Sequence, residues 1–174
     1  MNSTALRSTI AEFKRYKSLG EGVLDQIDEG ELSRAPSAGV SSIATLVWHI
    51  SGNLKSRFTD FLTTDGEKPW RDRESEFGER RASRSEVVEK WEDGWSALLS
   101  ALDELGEEDL ERVVSIRGEP LQVIEALHRS LAHTSYHVGQ MAYIGRIFRG
   151  GDWEYLSIPP GGTDQYNRSM GFRP

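Results

Sequence analysis

With 174 residues, 28 acidic against 21 basic side chains and a formal charge of −7, the chain is long enough to bury one core and too short for two ordinary domains. Its acidity argues against a binder of the nucleic-acid backbone, whose affinity rests on excess lysine and arginine. The absence of cysteine removes disulfides, thiolate metal sites and cysteine nucleophiles, and fits a reducing compartment. The first residues lack the apolar core of a secretion signal, and no apolar run approaches the ~20 residues of a membrane span. A cytoplasmic location without membrane contact is therefore expected.

Leu6, Ile10, Phe13, Leu24 and Ile27 recur near one helical face, which predicts a first helix over residues 4–28 with a weak middle at Gly20 and Gly22. A break at Pro36 to Gly39 follows. Ser41 or Ser42 then caps a second helix over 42–63, whose apolar stripe is Ile43, Val47, Ile50, Leu54, Phe58 and Phe61. Ser42, His49, Asn53 and Asp60 share an adjoining face of it. Residues 65–82 lack periodicity and read as a long polar loop of the kind that is functional or mobile. Its arginines, Arg71, Arg73, Arg80 and Arg81 with Arg84 beyond, alternate with Asp72, Glu74, Glu76 and Glu79 and read as a solvated, self-neutralised surface.

A third helix over 84–105 starts from Ser83 or Ser85, with Glu86 in the Ser-x-x-Glu position of a capping box. Val88, Trp91, Trp95, Leu98, Leu99, Leu102 and Leu105 form its stripe, the tryptophans reading as core, and Gly106 ends it. Val113 to Ile116, a turn at Arg117 to Pro120 and a return at Leu121 to Val123 predict a short β-hairpin. A fourth helix over 123–149 places Ile124, Leu127, Leu131, Val138 and Met141 on its core side and stops at Gly150-Gly151. The tail from Trp153 to Thr163 has no helical pattern. Its Trp153, Tyr155, Leu156 and Ile158 are expected to pack on the body or on a partner subunit, near the open end of the site described next, with Trp70 in the same lid. The expected architecture is all-α: an antiparallel four-helix bundle forming a single domain, 1–174.

His133 and His137 stand four residues apart on the fourth helix, so both imidazoles project from one face, and His49 on the second helix can complete a set of three. Structural zinc is usually closed by four protein ligands, whereas three ligands leave an open position and mark a catalytic centre. Imidazole does not name the ion, and zinc or nickel is expected. His128, nine residues before His137, falls on the opposite side of its helix and is excluded. Asn53, Tyr136 and Gln140 lie within a turn of a proposed ligand and can orient it through its second nitrogen. Asp60 is a weaker candidate, and Glu125 and Ser130 are given no role. Neither a Gly-x-Ser-x-Gly elbow, a phosphate loop nor a dinucleotide fingerprint is present.

Leu46-Val47-Trp48-His49-Ile50-Ser51-Gly52-Asn53 and His133-Thr134-Ser135-Tyr136-His137-Val138-Gly139-Gln140 resemble segments of the DinB/YfiT-like superfamily of bacterial metalloproteins. The stretches Phe61 to Trp70 and Leu156 to Pro159 are similar to those of an uncharacterised branch. The resemblance covers nearly the whole chain. It implies a four-helix bundle holding zinc or nickel through His49, His133 and His137, commonly as a homodimer. It also implies a choice among thiol-dependent transferases, which use low-molecular-weight thiols, and metal-dependent hydrolases, without fixing the reaction. The expected function is therefore that of a metal-dependent enzyme using metal-bound water or thiolate, any thiol coming from a cosubstrate. The competing expectation is a non-enzymatic, metal- or small-molecule-binding bundle, for example a stress-related one.

Overall fold

The computed structural model describes residues 4–172, so the first three and last two residues of the expected domain lie outside it. The first helix, α1 (Thr4–Gln26), buries Leu6, Phe13, Val23 and Leu24. Its two glycines are points of close approach. A Cβ on Gly20 would overlap the Trp91 ring, and one on Gly22 would lie 2.6 Å from Leu156. The short α2 (Glu29–Leu32) follows and buries Leu32.

Ser42 caps α3 (Ile43–Phe58) by accepting the Thr45 N–H at 3.1 Å. The helix stops at Phe58 rather than continuing to residue 63. Thr59 is extended and Asp60 adopts φ 48°, a left-handed conformation that a short polar side chain tolerates. The Asp60 carbonyl then accepts the N–H groups of Thr63 and Thr64, each at 3.1 Å. This turn swings Phe61 back onto Phe58, ring centroids 5.0 Å apart, so the apolar phase of the helix outlives the helix itself.

The capping box of α4 (Arg84–Asp103) forms as expected: Ser83 N–H donates to Glu86 Oε2 at 2.8 Å, and Glu86 N–H donates to Ser83 Oγ at 3.3 Å. Trp91 and Trp95 are core residues, 1% and 0% exposed. The crossing with α3 is tight, since a Cβ on Gly94 would lie 2.5 Å from the Ser51 Cα.

Strands β1 (Val113–Ile116) and β2 (Glu119–Gln122) pair antiparallel around a two-residue turn. Both turn residues have positive φ, Arg117 at 56° and Gly118 at 76°, which matches the twist of the flanking strands. Pro120 therefore belongs to the return strand, opposite Ser115, rather than to the turn. The residues closing a two-residue turn form the hydrogen-bonded pair, so the next pair along needs no N–H from proline.

Asp65 fastens this hairpin to the chain after α3. Its carboxylate accepts the backbone N–H groups of Glu67 (2.7 Å), Gly118 (2.8 Å) and Arg117 (2.9 Å) and the Ser115 hydroxyl (2.8 Å). Backbone hydrogen bonds from Glu67 and Gly118 dominate in holding it far below the usual carboxylate range.

The last long helix, α5 (Val123–Arg149), packs chiefly on α1, while α3 packs chiefly on α4, and α3 meets α5 in the middle of the bundle. Gly150, at φ 55°, stops α5. Beyond it the tail runs back over α1. Trp153 seats on Gly145, and Gln26 exchanges two hydrogen bonds with the backbone of Glu154 at 3.1 and 2.8 Å. Trp153 is buried and Leu156 half-buried, whereas Tyr155 and Ile158 are exposed. A short helix that the pattern does not foretell, α6 (Thr163–Ser169), ends the described chain. None of its residues is buried, so it has no apolar stripe to betray it. Among the described residues no helix is long and apolar enough to cross a membrane.

Candidate metal centre

His49 is one of the most buried polar residues of α3, and His133 and His137 face it from α5. His133 Nε2 lies 3.1 Å from His49 Nε2 and 3.2 Å from His137 Nε2, and one ligand atom from each of the three residues falls within 4.8 Å of the others. The outer nitrogens explain the tautomers. His49 Nδ1–H donates to Glu76 Oε2 at 2.8 Å, and His137 Nδ1–H donates to the Gln140 side-chain oxygen at 2.7 Å. With both Nδ1 atoms protonated, the Nε2 atoms of His49 and His137 carry lone pairs, and His133 has only one proton to place between two acceptors. At least one contact is then lone pair against lone pair.

A cation in the middle relieves that repulsion. An ion about 2.0–2.1 Å from each of two imidazole nitrogens at a tetrahedral angle holds them about 3.3–3.4 Å apart, close to the spacing found. The donor set thus fits a divalent transition metal.

Glu76 is the residue that sequence reasoning passes over. It sits on a 3-10 turn, Glu74–Phe77, inside the supposedly solvated loop, yet its side chain is 7% exposed. Arg71, 2% exposed, grips both of its oxygens, Nε to Oε1 at 2.8 Å and Nη2 to Oε2 at 2.9 Å. Burial alone would raise the Glu76 pKa; hydrogen bonds from His49 and Arg71 outweigh it and keep the group an anion. The one clue is Gly52, three residues after His49 in an otherwise well-formed helix. A Cβ there would overlap Glu76 Oε1 and lie 2.7 Å from its Cδ.

Other predicted residues scatter more widely. Gln140 bonds the His137 Nδ1–H at 2.7 Å. Asn53 makes no bond to an imidazole but lines a cavity of about 190 Å³ that also touches His49 and His133. Tyr136 meets His137 edge-on, centroids 5.0 Å apart, and is 63% exposed. His128 is exposed and outside the cluster, and Asp60 is exposed beyond the helix end. Ser130, set aside on sequence grounds, is buried and lines the cavity.

The tail does not lie at this cavity. Trp153 seats on Gly145, two turns beyond His137, whereas the cavity opens toward Ala126 and the hairpin. Trp70 is 55% exposed and does not line it either. Arg73, Arg117 and Arg129 at its rim are all substantially exposed, so the mouth reaches solvent.

A long-helix bundle with a hairpin before its last helix, and histidines on its second and last long helices, is a DinB-like fold. The structure is similar to the crystal structure of a DinB-like protein from Bacillus cereus ATCC 10987, at 20% identity and a TM-score of 0.62 over 80% of this chain and 90% of that one. It is also similar to a conserved protein from Enterococcus faecalis, at 19% identity and a TM-score of 0.65 over 86% of this chain and 99% of that one. Through residues 1–162, the chain belongs to the family described as Protein of unknown function (DUF1572). No curated protein matches its sequence.

Burial, then His137 and His49, hold the His133 pKa down at about 3, and burial lowers that of His137 as well. Both stay neutral in the folded, metal-free protein at pH values where the unfolded chain takes up protons. Their contribution to stability is complete above the ordinary histidine pKa of 6.5 and is lost as pH falls from there toward about 3. Thermal melts of the metal-free protein should show Tm dropping by several degrees from pH 7 to pH 5, with a shallower slope in His133→Asn. A flat profile would contradict the burial described.

Gly52→Ala provides a second check. Helix propensity alone predicts a gain of up to ~1 kcal/mol, but displacement of Glu76 should lower stability and weaken zinc binding about tenfold or more, as loss of an outer hydrogen bond does at other metal histidines. A more stable variant with unaltered zinc affinity would show that Glu76 does not support the site.

Proposed function

We propose that the chain is a metal-dependent enzyme in which His49, His133 and His137 hold a divalent transition ion, zinc or nickel, beside a solvent-reaching cavity. The observation that carries this reading is the convergence of three Nε2 atoms, two of them fixed as lone-pair donors by Glu76 and Gln140. When bound, such an ion supplies Lewis acidity that makes water or a thiol nucleophilic at neutral pH. The protein's part is to aim the imidazoles, through Glu76 behind His49 and Gln140 behind His137, and to present the cavity for a small-molecule substrate. With no cysteine in the chain, a thiolate must come from a low-molecular-weight thiol, which is the transferase version; the hydrolase version needs water alone.

One observation favours the alternative, a non-enzymatic metal- or small-molecule-binding protein of a stress-related kind. Among the described residues no carboxylate lines the cavity, and Glu76 is engaged by Arg71 and His49, so none of them stands as a free general base beside the histidines. Turnover by the ion with thiol or water requires no such base, and the enzymatic reading is retained. The placement is cytoplasmic, and the assembly implied by the resemblance is a homodimer. Tyr136, Tyr143 and Ile147, 63%, 67% and 53% exposed on one face of α5, supply an apolar surface for it. Sedimentation equilibrium returning the mass of a single chain would refute the dimer.

Elemental analysis of the purified protein should find about one zinc or nickel per chain. Alanine at His49, His133 or His137 should each remove most of it, because two imidazoles make a much poorer site, and His128→Ala should remove none. Retention by His49→Ala with loss in His128→Ala would overturn the assignment. Turnover assays with and without low-molecular-weight thiols then separate the two reactions, thiol-independent activity eliminating the transferase.

A further inference from the structure

The cavity beside the histidines is basic although the chain is acidic. Guanidinium groups reach it from Arg57 on α3, Arg71 and Arg73 in the loop, Arg117 in the hairpin turn and Arg129 on α5, and among the described residues no carboxylate lines it. Their anionic partners stand behind and are overcommitted. Glu67 alone serves three, lying 3.0 Å from Arg57, 3.1 Å from Arg117 and 3.7 Å from Arg71. Glu76 is divided between Arg71 and His49.

Free donors remain as a result. Arg57 spends Nη1 on the Gly66 carbonyl and Glu67, while its Nε and Nη2 have no acceptor among the described residues. Burial, with Arg71 and Arg117 adding to it, lowers its pKa against the opposing pull of Glu67, the condition of a cation short of anions. Among the described residues Arg129 has only Glu119 within ionic range, at 3.9 Å and beyond a hydrogen bond. Two neutral groups are also unpaired. Ser130, 6% exposed, has a hydroxyl with no partner, and Asn53, 8% exposed, makes no side-chain hydrogen bond to the described residues. Buried polar groups are almost always satisfied, so the unpartnered Ser130 hydroxyl on the cavity wall marks a ligand contact, and the Asn53 amide on the same wall offers a second free polar group.

We infer that this cavity is an oxyanion site, taking the carboxylate or phosphate of a small molecule between Arg57 and Arg129 while Asn53 and Ser130 bond the portion next to the histidines. The guanidinium fork matches both anions and presents paired donors to either. A volume of about 190 Å³ admits a short organic acid or phosphate ester and excludes a nucleotide. Solvent-facing cations at the mouth draw such anions in against the net negative charge of the whole protein. This names the substrate class of the enzyme proposed above and rests on that reading for the chemistry alone; the anion site stands on the arginines.

Calorimetric titrations with succinate and with inorganic phosphate, run separately at constant ionic strength on metal-free and zinc-loaded protein, provide the test. Saturable binding of at least one is expected in the metal-free form, and the two arms tell carboxylate from phosphate. Arg129→Gln and Arg57→Gln should each weaken it about tenfold, and His137→Ala should leave it intact, since His137 does not line the cavity. Arg129 is exposed and its one contact with another element is the 3.9 Å ion pair with exposed Glu119 of β2, so its variant remains informative even where Arg57→Gln, which frees the Gly66 carbonyl, fails to fold. No binding to either form, or binding indifferent to both arginine changes, overturns the proposal. Binding seen only with zinc and lost in His137→Ala puts the anion on the ion, which overturns the arginine site and leaves the metal reading standing. Anion binding by a protein that takes up no zinc does the reverse.

Discussion

The structure around the histidines depends on one buried contact, the hydrogen bond from His49 to Glu76. A carboxylate removed from water loses several kcal/mol of hydration, and Glu76 remains ionised because the His49 hydrogen bond and Arg71, which bonds both of its oxygens from an equally buried position, outweigh that loss. That pairing dictates much else. It requires Gly52, because any side chain there would occupy the place of the carboxylate. It holds the chain between Lys68 and Gly78 against α3, where Ser56 Oγ accepts the Lys68 N–H at 3.1 Å and donates to the Gly66 carbonyl at 2.7 Å. Just before it, Asp65 grips the hairpin turn, so a stretch with almost no regular secondary structure is tied to both α3 and the hairpin.

Local rules recover whatever is local. Ser42 and Ser83 cap the helices that begin at Ile43 and Arg84, the hairpin forms before α5, and the i, i+4 spacing of His133 and His137 delivers both imidazoles to His49 while sending His128 to solvent. Periodicity fails where burial and helix part company. Phe61 keeps the phase of α3 although Asp60 has already turned the chain, and α6 is helical with no buried face at all.

The loop is the instructive failure. Alternating Arg and Glu is the signature of a hydrated surface, and for Arg73 and Glu74, 45% and 85% exposed, that is what it is. Arg71 and Glu76 carry the same letters, yet they are buried because each satisfies the other and a histidine lies within reach. No spacing rule along the chain distinguishes the two pairs; the difference is a contact with α3. Gly52 carries the only trace of it, as a helix residue lacking the side chain its position would ordinarily tolerate. Net charge misleads in the same way, since an excess of carboxylates over the whole chain coexists with a cavity that contains none in its wall.

The pairing of the long helices has a consequence for how the protein is made. α3 lies mainly against α4, its neighbour in sequence, but α1 lies mainly against α5 and is sealed by the segment that follows α5. During synthesis, α3 and α4 can associate as soon as both have left the ribosome, taking His49 with them. α1 meets these two helices locally, Gly20 against Trp91 and Phe13 against Phe58, so most of its apolar face stays uncovered until α5 emerges, and α5 also brings His133 and His137. Completion of the bundle and completion of the histidine cluster are therefore one event, so a nascent chain offers a scavenging metal ion no finished cage, and the N-terminal helix is what a chaperone would find exposed in the interval.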